Sequence, residues 1–239
     1  MVRRTLPMST FDLPTAVIEP TARHRGTVIW LHGLGASHHD FLPVVPALDL
    51  PFLRFVFPSA PLRRVTLYGG LQRPAWYDIL GLGPTGPREN EAQLEQMTSA
   101  IETLVEREQA AGISPDRIVL AGFSQGGAMA LHAGLRSERA LGAILVLSGY
   151  LPMAQSFLTQ APPARPNLPI LFCHGRRDGV VPAAGGRLSY ELVKTAGFDA
   201  NWAEFDVAHS MNLEEVRFIA DWLRPRFDGS ERPAGGIWA

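Results

Sequence analysis

An apolar, β-branched run, Ile118-Val119-Leu120-Ala121, leads directly into Gly122-Phe123-Ser124-Gln125-Gly126, and small helix-compatible residues follow through Leu131. The first run has the composition of a buried strand. A serine between two glycines at a strand-to-helix turn is the pattern of a nucleophile elbow. The turn is too tight for side chains at positions 122 and 126, so it lifts the Ser124 hydroxyl above the end of a sheet. A GxSxG match alone also has a chance reading. The strand before it and the helix after it give it weight, and the rest of the chain must supply partners.

The flanking sequence repeats the same alternation. Thr27-Val28-Ile29-Trp30-Leu31 reads as a buried strand ending in His32-Gly33-Leu34-Gly35, and residues 38–49 as a short helix. Arg54-Phe55-Val56-Phe57 is a strand stopped by Pro58. In residues 90–111, Leu94, Met97, Ile101, Leu104 and Val105 fall on one helical face, and Gly112 ends the element. Further strands are expected at 142–147, 170–173 and 200–205, and helices at 181–196 and 213–227. Strands alternating with helices imply a single α/β domain, with a mostly parallel central sheet covered by helices on both faces.

Residues 59–88 form the longest stretch without a clear period. They carry Tyr68, Leu71, Trp76, Tyr77, Ile79 and Leu80, too many apolar groups for a solvated linker, and read as a functional loop or lid. Residues 1–25 form a polar lead-in with a possible edge strand at Ala16-Val17-Ile18, residues 26–227 the domain, and residues 228–239 a Gly/Pro-rich flexible tail.

Composition narrows the function classes. A formal net charge of −1 gives no electrostatic footprint for nucleic acid or an anionic membrane. The single cysteine, Cys173, rules out an internal disulfide framework and fits a reducing compartment. Arg3-Arg4 is followed by no apolar core of a signal peptide, and no segment reaches transmembrane length. A cytoplasmic protein is the expectation.

Ligands of an open α/β sheet sit at the carboxyl ends of its strands. Reactive residues follow predicted strands at 32–35, 124, 174–178 and 206–209. A serine hydroxyl needs a base. Of the seven histidines, His24 lies in the lead-in, His132 about two turns into the elbow helix, and His38 and His39 at a helix start without further metal ligands. His32 and His174 each precede a glycine and suit turn support. His209, between the last strand and the final helix, is the favoured base. Asp178, in a post-strand loop, is the acid to orient it; Asp206 is the rival, but shares the short loop of His209 and is poorly placed to face its ring. The order Ser124, Asp178, His209 is that of α/β-hydrolases. The N–H of Gln125 opens the elbow helix and suits an oxyanion, with the N–H of Leu34 in the HGLG loop as the second donor.

These residues resemble a known family. LHGLG at 31–35, PAWYDI at 74–79, GISPDRIVLAGFSQGGAMAL at 112–131, LSGYLP at 147–152, HGRRDGVVP at 174–182 and AHS at 208–210 are similar to the acyl-protein thioesterase/carboxylesterase family, also called phospholipase/carboxylesterase. The similarity spans roughly residues 26–225. It implies a cofactor-free, metal-free single-domain α/β-hydrolase with Ser124, Asp178 and His209 in the catalytic positions and Leu34 and Gln125 at the oxyanion hole. It also implies a small-molecule or lipid-like acyl substrate: a carboxylic ester, a thioester or a lysophospholipid. Ala208 departs from the glycine usual before the catalytic histidine, and is tolerated unless that position needs a positive φ. Leu34, Leu71, Trp76, Ile79 and Val181 are candidates for an apolar acyl groove; ordinary core or lid packing is the competing reading. An amidase or peptidase on the same fold, or a non-catalytic binding protein, are the alternatives. The sequence leaves monomer or homodimer open.

Overall fold

The computed structural model describes residues 13–83, 86–160, 162–163 and 165–227. The expected flexible tail at 228–239 and the first part of the lead-in lie outside the described residues. In chain order the elements begin with strands β1 (Thr15–Ile18) and β2 (Gly26–Leu31), a 3-10 helix (His38–Val44), helix α1 (Val45–Leu48) and β3 (Leu53–Pro58). There follow β4 (Leu62–Val65), β5 (Leu71–Pro74), β6 (Ile79–Gly83), β7 (Gly86–Glu89), α2 (Glu91–Ala110), β8 (Ile118–Phe123) and α3 (Gln125–Arg136). The chain continues through β9 (Ala143–Leu147), α4 (Ala154–Gln160), β10 (Pro169–Gly175), α5 (Ala183–Thr195), β11 (Asp199–Phe205) and α6 (Leu213–Leu223).

Seven strands form the central sheet in the order β1-β3-β2-β8-β9-β10-β11. Only β1 runs antiparallel, along β3, so the expected edge strand is present. Strands β2, β8, β9 and β10 are covered on both faces, which is why they read as unbroken apolar runs. Alternate residues divide between two cores. Ile29, Leu31, Leu120, Ile144 and Phe172 meet the apolar sides of α2, α3 and α5. Val28, Trp30, Val119, Leu145 and Leu171 meet α1 and α6 through Leu48, Ile219, Trp222 and Leu223.

The parallel register brings the reactive loops to one edge. Leu31 pairs with Gly122, Phe123 with Leu147, Leu147 with Cys173, and Gly175 with Phe205. The residues immediately beyond these pairs are His32, Ser124, Arg176 and Asp206, so the loops carrying Leu34, Asp178 and His209 leave the sheet side by side.

Three expectations need correction. Residues 59–88 are not an irregular lid: they form two antiparallel hairpins, β4 with β5 and β6 with β7. Strands of four or five residues with exposed alternating positions leave no hydrophobic period to read, and their order comes from backbone pairing. The segment 38–49 is mostly 3-10 rather than α-helical, because Pro43 and Pro46 each remove a backbone donor. The last helix stops at Leu223 and continues as a 3-10 turn over Arg224–Arg226, where Pro225 has no N–H to give. The short helix α4 was not legible at all, since seven residues carry too little of a period.

Candidate active site

The elbow is built by close approach. A Cβ on Gly122 would run into the carbonyl of Gly126, and one on Gly126 into the carbonyls of Leu31 and His32. The first turn of α3 therefore packs directly on the ends of β8 and β2. Ser124 pays for this geometry with φ 55° and ψ −121°, a region that L-residues avoid. Its backbone is held there by the Ser124 N–H donating to Leu147 O at 2.8 Å and by Ala128 N–H donating to Ser124 O at 3.0 Å.

Three side chains converge above this turn. His209 Nε2 lies 2.9 Å from Ser124 Oγ, and His209 Nδ1 lies 2.7 Å from Asp178 Oδ2. The Val180 and Val181 N–H groups both donate to Asp178 Oδ1 at 2.9 Å, so the carboxylate is oriented from its far side. Burial alone would push the Asp178 carboxyl up, but the hydrogen bonds from His209, Val181 and Val180 outweigh it and hold the group below its ordinary value. Asp178 is thus an anion where an imidazolium would form. The His209 ring packs on Phe123, with centroids 4.8 Å apart. Asp206 points away, paired at the surface with Arg177 at 2.8 Å. Ala208 has no positive φ, so alanine fits in place of glycine there.

The other histidines occupy supporting places. His32 is buried; its Nδ1 lies 2.7 Å from Gly33 O, and its Nε2 accepts from Ala60 N–H at 2.9 Å. His174 is buried with Nε2 2.8 Å from Val181 O, stacked on Trp202. Burial lowers the pKa of both. His132 is buried on α3 and its pKa is driven down to about 3, first by burial and then by Arg136.

Gln125 opens α3, where backbone N–H groups lack intrahelical acceptors and carry the positive end of the helix dipole. The loop bearing Leu34 abuts the serine: a Cβ on Gly33 would sit 3.5 Å from Ser124 Cβ. Neighbouring Gly35 N–H is committed to Pro74 O at 2.8 Å, and Ala36 N–H to Gly33 O at 3.1 Å.

The five candidate groove residues are not brought together as one lining. Trp76 is 0% exposed, and its indole N–H donates to His32 O at 2.7 Å. It is a core residue that ties down the HGLG loop, because a large aromatic with a satisfied N–H fits the interior beneath the site. Ile79 is likewise buried in the core. Leu71 stands at 58% exposure on the β4–β5 hairpin. Leu34 and Val181 are half-buried against the core, beside the serine and the aspartate respectively.

One contribution lies beyond the sequence reading. The Gln125 side chain, and not only its backbone, is engaged: Oε1 accepts from Trp76 N–H at 3.0 Å and Nε2 donates to Tyr77 O at 2.7 Å. The available signal was a long amide side chain among the small residues at the start of α3.

The chain is similar over most of its length to known proteins. Acyl-protein thioesterase 1 of Gibberella zeae is 34% identical over 228 residues, covering 91% of this chain and 97% of the relative. Acyl-protein thioesterase 1 of Yarrowia lipolytica is 33% identical, covering 88% of this chain and 96% of the relative. The crystal structure of Zea mays acyl-protein thioesterase 2 superimposes with a TM-score of 0.80 at 28% identity, covering 90% of this chain and 99% of that one. The sequence profile of one family runs through residues 14–226, nearly from the edge strand to the last turn of the sheet domain, and the chain belongs to that family, the phospholipase/carboxylesterases.

Proposed function

We propose that the protein hydrolyses carboxylic esters and thioesters through an acyl-enzyme on Ser124. The observation that carries this reading is the continuous relay from Ser124 Oγ through His209 to Asp178, with contacts of 2.9 and 2.7 Å. His209 Nε2 takes the hydroxyl proton as Oγ attacks the acyl carbonyl, while Asp178 holds the proton on Nδ1 and stabilises the imidazolium. The carbonyl oxygen becomes an oxyanion that accepts from the N–H groups of Gln125 and Leu34; removing one such donor typically costs about a hundred- to a thousandfold in rate. Collapse expels the alcohol or thiol, which takes the proton from His209. Water, deprotonated by the same ring, then releases the acid.

The thioesterase names of the relatives favour esters and thioesters over the amide bonds that the same relay could also attack. Half-buried Leu34, in the loop that abuts the serine, supplies apolar contact for the acyl chain, where each buried methylene contributes about 0.8 kcal/mol. The same reading places the enzyme in the cytoplasm, in keeping with a single buried free thiol at Cys173. Among the described residues, no helix is long and apolar enough to cross a membrane.

A serine-reactive fluorophosphonate should label the wild type and not Ser124→Ala, and the variant should lose hydrolysis of a p-nitrophenyl acyl ester. Full activity in Ser124→Ala would overturn the assignment.

A further inference from the structure

We propose that the side-chain amide of Gln125 is a positioning residue for acyl transfer, holding the two oxyanion donors in register with each other. The inference rests on Ser124 as nucleophile and on the Gln125 and Leu34 N–H groups as those donors.

The two N–H groups belong to different parts of the chain, one on α3 and one in the loop after β2. A gap between them must be set to a fraction of an ångström, because a misplacement of about 1 Å can cost a hundredfold in rate. The segment 74–77 spans that gap. On one side it grips the HGLG loop: Trp76 Nε1–H donates to His32 O at 2.7 Å and Pro74 O accepts from Gly35 N–H at 2.8 Å. Those two contacts bracket Gly33 and Leu34. On the other side the same segment is gripped by Gln125, whose amide accepts from Trp76 N–H and donates to Tyr77 O. The amide thus reads both polar groups of this backbone as a neighbouring strand would.

The circuit is closed and dry. Gln125 is 2% exposed, Trp76 and Tyr77 are 0% exposed, and the first turn of α3 presses on the carbonyls of Leu31 and His32 through Gly126. The Tyr77 hydroxyl meets the Tyr150 hydroxyl at 2.9 Å, which anchors the segment from behind. The backbone at position 125 and the loop bearing Leu34 are thus tied to the same 74–77 segment, the first through its own side chain. Any residue keeps the backbone donor; only an amide of this length keeps the bracket.

The test uses Gln125→Met, which matches the volume without hydrogen bonding, and Gln125→Glu. Rates on p-nitrophenyl butyrate are normalised to sites labelled to completion by fluorophosphonate, so loss of folded protein does not enter. For Gln125→Met, kcat should fall about 10- to 100-fold with KM within about threefold of wild type and an unshifted pH profile. A kcat per labelled site within threefold of wild type, or a loss confined to KM, overturns the proposal. Gln125→Glu donates to Tyr77 O only when protonated, so its rate relative to wild type should rise about tenfold from pH 9 to pH 6. A pH-independent ratio overturns the proposal even if the Met variant does not fold. Absence of labelling in the wild type would instead sink the nucleophile assignment.

Discussion

Asp178→Asn tests the relay with the least disturbance of shape. The amide oxygen takes the place of Oδ1 and keeps accepting from the Val180 and Val181 N–H groups, both at 2.9 Å. That fixes the amide nitrogen where Oδ2 stands, 2.7 Å from His209 Nδ1. Two donors cannot share that contact, so the ring must leave Nδ1 bare and carry its proton on Nε2, 2.9 Å from Ser124 Oγ. A nitrogen that already holds a proton cannot take another from serine. The same change in serine proteases lowers kcat about 10⁴-fold, and a similar loss here corresponds to about 5 kcal/mol of transition-state stabilisation. Steady-state hydrolysis of p-nitrophenyl butyrate at pH 8 measures it, with circular dichroism confirming that the variant is folded. Asp206→Asn is the matched control and should leave kcat unchanged, because Asp206 faces Arg177 at the surface. An Asp178→Asn variant with more than a tenth of wild-type kcat, or an equal loss in Asp206→Asn, would refute the orienting role.

Other perturbations probe the framework. Glu215 is 1% exposed and burial pushes its pKa up to about 8. Between its ordinary value and about pH 8 the unfolded chain gives up this proton while the folded one keeps it, so stability falls as pH rises, by up to about 1.4 kcal/mol per pH unit, and is fully present only at acid pH. Urea unfolding of wild type and Glu215→Gln from pH 5 to 9 should show the wild type losing stability relative to the variant as pH rises, with buried Glu89 and the buried histidines contributing equally to both curves; a difference that does not change with pH would contradict it. Gly126→Ala drives a methyl into the carbonyls of Leu31 and His32 and should cost about 3 kcal/mol or more, a Tm lower by about 6–12 °C in scanning calorimetry. Arg139 reaches from the segment after α3 to Gln109, Glu102 and Glu106 on α2 at 2.6–2.8 Å. As the group is part-exposed, Arg139→Ala should lower stability by only about 1 kcal/mol, less at high salt, with kcat intact.

The parts of this architecture that were readable from the chain are those where one physical demand dominates. Strands β2, β8, β9 and β10 are apolar at nearly every position because helices cover both faces, and the buried polar exceptions Thr27 and His174 are hydrogen-bonded. The register of a parallel sheet then carries Ser124, Asp178 and His209 to one edge, so strand ends narrow the candidates, and chain order and loop placement choose among them. The hairpins at 62–89 escaped because their strands are short and their exposed sides are as apolar as their covered ones, with Leu62, Leu71 and Leu82 facing outward. Trp76 stays open between groove and core in the sequence for a related reason: composition gives the size of an aromatic but not which side of the wall it occupies. Only the bond from its indole to His32 O shows that it supports the loop from within. The side-chain contacts of Gln125 depend on partners 48 and 49 residues away, and a long amide among small residues is the only local trace of them.

The backbone of Ser124 carries an implication for laboratory evolution. A φ of 55° is a conformation glycine adopts freely, and strain of this kind costs about 1–3 kcal/mol in other residues. Replacement by glycine sheds that strain and abolishes the nucleophile in a single substitution. Libraries screened for heat tolerance or expression alone will therefore drift toward dead enzymes at this codon, and a turnover screen must accompany every round.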